Sequence, residues 1–217
     1  MANSYNLKEV YFTVQGEGRH VFREAVFCRF TGCNLWSGRE ADRKTATCSF
    51  CDTDFVGTDG PGGGTFGDPA SLAKHVRAIW DDQASATSTP YVVCTGGEPL
   101  LQLDSACCDA LHEQGMQVAI ETNGTRELPV GLDYICVSPK TGEHTLKVSD
   151  AQEVKYVRNA GQGIPKPTIK AERRYLSPAF HPDGTVDRSS LQHCIELCKL
   201  FPSWRLSCQQ HKWWRVR

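Results

Sequence analysis

The stretch that decides the fold is AVFCRFTGCN (25–34), an apolar, β-prone run that ends at a Gly-Cys pair. Three later apolar runs follow the same plan, and each ends at a polar motif. They are YVVCT (91–95) before GGEP, MQVAIET (116–122) before NG, and DYICVS (133–138) before PK. Strands that alternate with helices favour a parallel sheet, and active sites form at the carboxyl ends of its strands. We therefore expect these polar motifs to share one edge of a sheet.

The rest of the chain predicts an incomplete TIM-like α/β barrel of about six strands and three main helices. The segments that follow residues 122 and 138 lack a helical pattern, so we expect fewer helices than in a complete TIM barrel. Weaker strands are predicted at 153–157, 168–176 and within WRLSCQ (204–209). The helices are predicted at 69–82, from Pro99 to Gly115, and after a capping Ser189. The glycine-rich run GTDGPGGGTFG (57–67) is typical of a flexible connector.

Composition narrows the class of protein. A chain of 217 residues suits one core, so we expect a single domain over 1–217. The formal charge of −1 argues against a nucleic-acid partner. No apolar run approaches the roughly 20 residues of a membrane span, and no signal peptide begins the sequence. We therefore expect a cytoplasmic protein without a membrane partner.

Eleven cysteines, an odd number, do not fit a disulfide framework in a chain without an export signal. Seven lie in apolar or helical patterns, where packing is the expected role. Cys33, Cys48 and Cys51 instead lie in polar, loop-like sequence. Thiolates select zinc, Cu(I) or iron–sulfur clusters, and structural zinc normally takes four ligands. Three thiolates on a four-iron cluster leave one iron open for a small molecule.

The cysteine motif and the strand-end motifs together resemble the radical SAM (S-adenosylmethionine) superfamily. They are GCN(x13)CSFCDTDF, TGGEP, ETNG and VSPK. Fourteen and then two residues separate the cysteines, whereas three and then two are usual in the superfamily. With VQGEGRH (14–20) ahead of FCRFTGCN (27–34), this spacing resembles the 7-carboxy-7-deazaguanine synthase family. The resemblance runs from residue 11 to LSCQQHK (206–212), and it makes 34–47 a cluster-covering insert.

The resemblance implies a [4Fe–4S] cluster on the three cysteines, with SAM bound at its open iron. Reduction then gives methionine and a 5′-deoxyadenosyl radical. Residues implied to contact SAM are Ser49, Phe50, Asp52, Gly97, Glu98, Ser138, Pro139, Lys140, Ser177, Pro178, Ala179 and Phe180. Members often read Gln-Pro-x-Asp at the last four, so Ser177 and Phe180 are departures. Glu98 is also explained as a turn residue at a helix N-terminus, and Lys140 as a solvated loop lysine.

The implied substrate is 6-carboxy-5,6,7,8-tetrahydropterin. The radical removes hydrogen from its C6, the ring contracts and ammonia leaves. Arg29 is expected to bind the carboxylate, with a structural ion pair as the alternative. Further implied substrate contacts are Val14, Gln15, Gly16, Glu17, Thr95, His211 and Arg217. Thr53 is the implied Mg²⁺ ligand. The family also implies a homodimer and an electron donor such as flavodoxin.

Two other functions remain open from the sequence. One is a radical SAM activase that generates a radical on a partner protein. The other is a zinc-stabilised binding module without catalysis. The QGEG motif and Arg29 favour a small anionic substrate over both.

Overall fold

The structure is a computed structural model that describes residues 4–181 and 184–216. Its contacts divide the chain into two compact units. The first unit comprises Met1–Thr13, Glu24–Thr122 and Arg126–Ile135, and the second comprises Val14–Arg23, Asn123–Thr125 and Cys136–Arg217. Each unit combines helices with mainly parallel strands.

The first unit carries five strands and two helices. They are β1 (Tyr5–Val14), β2 (Glu24–Phe30), β3 (Gly64–Phe66), α1 (Pro69–Gln83), β4 (Tyr91–Gly96), α2 (Ser105–Glu113) and β5 (Gln117–Thr122). The strands lie in the order β3-β1-β2-β4-β5. Strands β2, β4 and β5 are parallel, and β3 runs antiparallel to β1.

The core of this unit forms because β2, β4 and β5 are almost continuously apolar, as expected for parallel strands covered on both faces. Val26, Val92 and Ile120 are fully buried, and they belong to one cluster with Leu72 and Val76 of α1. Helix α1 begins where its sequence predicts. The Asp68 carboxylate accepts from the Ser71 N–H at 2.8 Å, and Pro69 occupies the first turn.

The second unit is built on parallel strands in the order β6-β7-β8-β9. Its elements are β6 (Tyr134–Val137), β7 (Asp150–Arg158), β8 (Lys170–Pro178), α3 (Arg188–Leu200), β9 (Trp204–Leu206) and α4 (Gln210–Trp214). Only the last two residues of β6 belong to this unit. Asp187, rather than the expected Ser189, caps α3. Its carboxylate accepts from the backbone N–H groups of Ser189 and Ser190.

The strand and helix predictions are largely confirmed. Each strand predicted from the sequence is present, and α1, α2 and α3 are the three long helices of the described residues. The strand count is nine in that part of the chain, because β1 and β3 add to the predicted set, whose last member is β9. No helix there is long and apolar enough to cross a membrane.

The prediction of a flexible connector at 57–67 is wrong. The run includes β3, and it also hydrogen-bonds along β1 through Gly60 N to Lys8 O and Val10 N to Pro61 O, both 2.9 Å. A side chain at Gly63 would overlap the carbonyl oxygen of Lys8. The glycines are therefore there for close backbone approach, and they cover the edge of β1.

Helix α2 begins later than predicted. Residues Pro99–Leu101 form a separate 3₁₀ turn, and α2 starts at Ser105. The Asp104 carboxylate decides the start, since it accepts from the Cys107 N–H at 2.9 Å and from the hydroxyl of buried Tyr5 at 2.8 Å. Gly115 ends the helix with φ 72°, as expected.

Replacing Asp104 should test this double role. Asp104→Ala removes a helix cap and leaves the Tyr5 hydroxyl without its acceptor, so we expect a loss of about 2–3 kcal/mol in the free energy of unfolding. Asp104→Asn keeps an oxygen at the same place and should lose much less. Urea denaturation of the two variants measures the difference. Equal losses would contradict this expectation, because they would show that an uncharged oxygen at this place cannot take over the two roles.

Candidate active site

The three predicted cluster ligands lie in the first unit. Cys33 follows the end of β2, whereas Cys48 and Cys51 belong to the turn CSFC that ends the insert. The thiol of Cys51 hydrogen-bonds that of Cys48, and Cys51 also interacts electrostatically with Cys33. The structure therefore brings together the three thiols that sequence reasoning had grouped.

The two half-buried thiols of this group differ in acidity. The Cys48 thiol, together with the N–H and hydroxyl of Thr53, donates to the Cys51 sulfur and lowers the pKa of Cys51 to about 6. Burial raises the pKa of the Cys33 thiol. A thiolate is the form that binds metal, so Cys51 is prepared as a ligand near neutral pH.

The donor set fits an iron–sulfur cluster, because all three sulfurs are free thiols and thiolates are the usual ligands of such clusters. Within the described residues, no group of three or more His, Cys, Asp or Glu side chains is arranged to hold one metal ion. This does not argue against a four-iron cluster, because its three thiolates would bind three different iron atoms and not a single ion.

The other eight cysteines are packing residues, and this role was predicted for all of them except Cys208. Seven are buried and Cys198 is half-buried: Cys28, Cys94, Cys107, Cys108, Cys136, Cys194 and Cys208 complete the set. Burial raises the pKa of the Cys194 thiol to about 12 and that of Cys208 to about 11. Such thiols are poor nucleophiles and poor ligands at neutral pH.

Gly97 holds the end of β4 against the turn that bears Cys33. A Cβ at this position would overlap the carbonyl oxygen of Gly32 and lie 3.0 Å from the Cβ of Cys33. Two backbone hydrogen bonds fix the contact, from Gly97 N to Phe30 O at 3.1 Å and from Glu98 N to Gly32 O at 2.9 Å. Glycine is required here by close approach, because any side chain would push the two strand ends apart.

Glu98 is completely buried next to this contact. Its Oε1 accepts from the Thr122 hydroxyl at 2.7 Å and from the Leu100 N–H at 3.1 Å. The second bond caps the 3₁₀ turn that follows, so the turn role considered from sequence is present. The charge of Glu98 also helps to raise the pKa of Cys33, which places the carboxylate near that thiol. Its predicted contact with SAM stays a prediction.

Arg29 and Thr95 are paired across β2 and β4. The Arg29 Nε donates to Glu9 Oε1 at 2.8 Å, and its Nη2 donates to the Tyr11 hydroxyl at 3.1 Å. Both charged side chains are mostly buried. The ion pair that was the alternative for Arg29 is therefore present, and carboxylate binding stays a prediction. Both partners lie on β1, the strand that the sequence reading missed.

The remaining predicted residues of the cysteine turn are open to solvent. Ser49 and Asp52 are exposed, and the Phe50 side chain is 55% exposed although it is a large apolar group. Thr53 is half-buried and its hydroxyl contacts the Cys51 thiol. Phe50 thus presents an apolar surface to solvent, and its SAM contact and the Mg²⁺ role of Thr53 stay predictions.

In the second unit, Gln15, Gly16 and Glu17 follow Val14 in a tightly held turn. The Gln15 side-chain oxygen accepts from the Glu17 N–H at 3.1 Å. Buried Glu153 accepts from the Arg19 N–H at 2.6 Å, and the Ser207 hydroxyl accepts from the Gly18 N–H at 3.0 Å. Backbone N–H groups of the turn are therefore satisfied by side chains of β7 and of the segment after β9.

The Glu17 carboxylate pairs with Lys155 of β7, with 2.5 Å between Oε2 and Nζ. The two side chains are only 12% and 9% exposed. A pair this buried adds little net stability, because both ions lose their hydration. Its main effect is to fix one orientation of Glu17. Lys155 is the clearest site residue that sequence reasoning missed.

A signal for Lys155 was present in the sequence. Glu153 and Lys155 alternate with apolar residues in a predicted strand, so they share one face of it. Charged residues on a buried strand need partners. The sequence could not name those partners, which lie more than 130 residues away in the QGEG turn.

The C-terminal segment contacts the same turn. A Cβ on Gly16 would overlap the His211 ring, and Gln210 N donates to Gly16 O at 3.1 Å. Trp214 stacks on Phe22 with ring centroids 4.1 Å apart. Two predicted substrate residues, Gly16 and His211, are thus brought together. Arg217, a third, lies outside the described residues.

The predicted SAM segments of this unit lie at the ends of β6 and β8. Ser138 Oγ donates to Lys155 O at 3.0 Å and accepts from Lys140 Nζ, while Pro139 is buried. Lys140 is therefore hydrogen-bonded within its own loop. Ser177 and Pro178 end β8 as buried residues, and Ala179 and Phe180 are half-buried. Lys212 lies 4.5 Å from the centroid of the Phe180 ring.

Comparison with known proteins gives close relatives over nearly the whole chain. A 7-carboxy-7-deazaguanine synthase from Caulobacter vibrioides is 48% identical and covers 97% of this chain and 98% of its own. Enzymes of the same name from Bradyrhizobium diazoefficiens and Bordetella pertussis are each 49% identical, and both alignments cover at least 96% of either chain. No family model matches the sequence.

A solved structure shares the fold. The crystal structure of QueE from Escherichia coli aligns with a TM-score of 0.63 at 23% identity, covering 96% of this chain and 95% of that one. The expected fold class, an incomplete α/β barrel with mostly parallel strands, is confirmed.

The acidity of Cys51 gives a direct test of the thiol arrangement. In cluster-free protein at pH 7, iodoacetamide should label Cys51 roughly 5- to 10-fold faster than Cys33, because the larger thiolate fraction outweighs its lower intrinsic nucleophilicity. Labelling of Cys51 should fall to half near pH 6. Peptide mass mapping over a pH series measures both rates, with half-buried Cys198 as the slow reference. Equal labelling of Cys51 and Cys33 at pH 7 would contradict the arrangement.

Proposed function

Because this chain belongs to the 7-carboxy-7-deazaguanine synthase family, we propose that it converts 6-carboxy-5,6,7,8-tetrahydropterin into 7-carboxy-7-deazaguanine with loss of ammonia. The enzyme is a radical SAM lyase that serves queuosine or related deazapurine biosynthesis. The observation that carries this function is the group of three thiols held beside the glycine-lined end of β4, with Cys51 acidic enough to act as a thiolate. Membership in this family argues against the two alternatives, the radical SAM activase and the zinc-stabilised binding module.

Cys33, Cys48 and Cys51 are proposed to hold a [4Fe–4S] cluster. Such a cluster supplies the electron that divides bound SAM into methionine and a 5′-deoxyadenosyl radical. The chain's own residues bind and orient SAM. Gly97 keeps the Cys33 turn against β4, and Glu98, fixed by Thr122, accepts from the ammonium group of SAM. Exposed Phe50 offers an apolar face to the adenosyl group, beside Ser49 and Asp52.

In the second unit, two segments are proposed to bind SAM. They are Ser138, Pro139 and Lys140 after β6, and Ser177, Pro178, Ala179 and Phe180 at the end of β8. Lys140 supplies a positive charge for the SAM carboxylate, and its bond to Ser138 limits the directions in which the ammonium can point. Buried Ser177 and Pro178 favour backbone rather than side-chain contacts there.

Arg29 is proposed to bind the substrate carboxylate. Its bonds to Glu9 and Tyr11 use one donor on Nε and one on Nη2, and a guanidinium has five N–H donors in a planar fork. The ion pair with Glu9 therefore orients the fork and leaves N–H groups for a ligand. Substrate contacts are also proposed for Val14, Gln15, Gly16, Glu17, Thr95, His211 and Arg217.

Mg²⁺ and partners complete the proposal. The Thr53 hydroxyl is proposed to bind Mg²⁺, which prefers oxygen ligands and would orient the substrate carboxylate. An electron donor such as flavodoxin reduces the enzyme, which acts as a homodimer in the cytoplasm without nucleic acid or membrane. We also propose that 1–217 act as one radical SAM domain, in which 34–47 is the insert that covers the cluster.

An anaerobic product assay tests the function. Reconstituted, reduced enzyme incubated with SAM and the carboxytetrahydropterin should form 7-carboxy-7-deazaguanine, identified by mass spectrometry, and less of it after Mg²⁺ is removed by a chelator. Thr53→Ser keeps the hydroxyl and should respond to Mg²⁺, whereas Thr53→Ala should not. SAM cleavage without any deazapurine would refute the substrate assignment.

Arg29→Ala separates substrate binding from radical generation. We expect product formation to fall roughly 100-fold or more, because the substrate carboxylate would lose its cationic partner in a buried site. Uncoupled SAM cleavage should continue. Arg77→Ala removes an exposed ion pair with Asp81 in the same unit and should change neither rate. Both reactions are followed by chromatography of the deazapurine and of 5′-deoxyadenosine. Normal turnover by Arg29→Ala would refute the carboxylate-binding role and leave Arg29 with its structural contacts to Glu9 and Tyr11.

A further inference from the structure

The cysteine turn has little backbone support of its own. Two of its backbone hydrogen bonds are long, from Cys51 N to Cys48 O and from Cys48 N to Leu35 O, each 3.4 Å, and Thr47 N just before the turn donates to Leu35 O at 3.1 Å. Ser49 and Phe50, the two residues between these cysteines, are exposed. Exposed segments with few backbone hydrogen bonds open at low free-energy cost. Two of the three thiols therefore depend on contacts from elsewhere for their position.

Arg43 of the insert supplies such a contact. Its Nη1 donates to the carbonyl oxygens of Ser49 and Cys51, both at 2.9 Å. One guanidinium nitrogen thus joins two carbonyls of the cysteine turn, on either side of Phe50. The contact is made to backbone rather than to sulfur, so it leaves the thiols available as ligands.

The Arg43 guanidinium is itself held on its other sides. Its Nε and Nη2 donate to the two carboxylate oxygens of Glu40, and its central carbon lies 4.1 Å from the centroid of the Trp36 ring. Trp36 is buried and packs edge-on against Phe55, with ring centroids 5.6 Å apart. A planar fork that is paired and stacked in this way has one preferred orientation.

We propose that Arg43 is a positioning residue of the cluster site, which fixes the cysteine turn through the Ser49 and Cys51 carbonyls in the conformation that presents Cys48 and Cys51 to the cluster. The inference rests on the proposed function only in assuming an iron–sulfur cluster. Glu40 and Trp36 hold the guanidinium in place. The paired charges of Arg43 and Glu40 offset one another, so the effect is on the geometry and retention of the cluster more than on the local charge.

Iron retention by the reconstituted holoenzyme tests this role. With excess chelator under anaerobic conditions, Arg43→Gln should lose iron roughly 10-fold faster than the native enzyme, a typical effect of residues that support metal ligands. Arg43→Lys should be intermediate, since an ammonium reaches carbonyls but cannot pair with Glu40 through two parallel bonds. Lys44→Gln removes an exposed charge from the next residue and should match the native rate.

Two further measurements separate positioning from general stability and from the function. Thermal unfolding of cluster-free Arg43→Gln should stay close to that of Lys44→Gln, and the paramagnetic resonance signal of the reduced cluster should broaden only in the Arg43 variants. Equal rates of iron release from Arg43→Gln and Lys44→Gln would overturn the proposal. So would a fall in the unfolding temperature of cluster-free Arg43→Gln that accounts for its faster iron release, or a native protein that takes up no cluster. A retained cluster without deazapurine product would instead overturn only the proposed substrate.

Discussion

The backbone contact between the ends of β2 and β4 is the constraint on which the cysteine site depends. Gly97 lies so close to Gly32 that no side chain fits, and two backbone hydrogen bonds hold the contact. Cys33 is therefore placed by the parallel sheet itself, one of the least mobile parts of a fold. Buried Glu98 begins the turn after β4 and is tied to β5 through Thr122. Cys33 and its neighbours thus share a rigid support.

Cys48 and Cys51 are held by a different means. Their turn lies at the end of the insert and has almost no ladder of its own, so side chains do the work that the sheet does for Cys33. Arg43 binds the turn carbonyls, and Trp36 anchors Arg43 to Phe55. A site with one thiol on the sheet and two on a loop can be precise only if the loop is held in place. The side chain of Arg43, within residues 34–47, therefore supports the cysteine turn.

Three ion pairs lie at or beside the predicted site residues. Arg29 pairs with Glu9, Glu17 with Lys155, and Arg43 with Glu40. Burying both ions costs about as much as their attraction returns, so the two more buried pairs are poor sources of stability. Their shared property is orientation, because each fixes a long side chain that otherwise samples many rotamers. Charge is thus used here to position groups more than to stabilise the fold.

Sequence patterns alone predict the strands with continuous apolar runs, the three long helices, the grouping of Cys33, Cys48 and Cys51, and the family. These depend on local patterns and on donor chemistry, which a linear reading contains. It missed β1, misread the glycine run beside it, and placed the start of α2 at Pro99, because tertiary contacts of Tyr5, Lys8 and Asp104 decide those features. Only the tertiary structure supplied the partners of the site residues. Glu9 lies 20 residues from Arg29 and Lys155 lies 138 from Glu17, and pairings at such separations are set by which strands become neighbours.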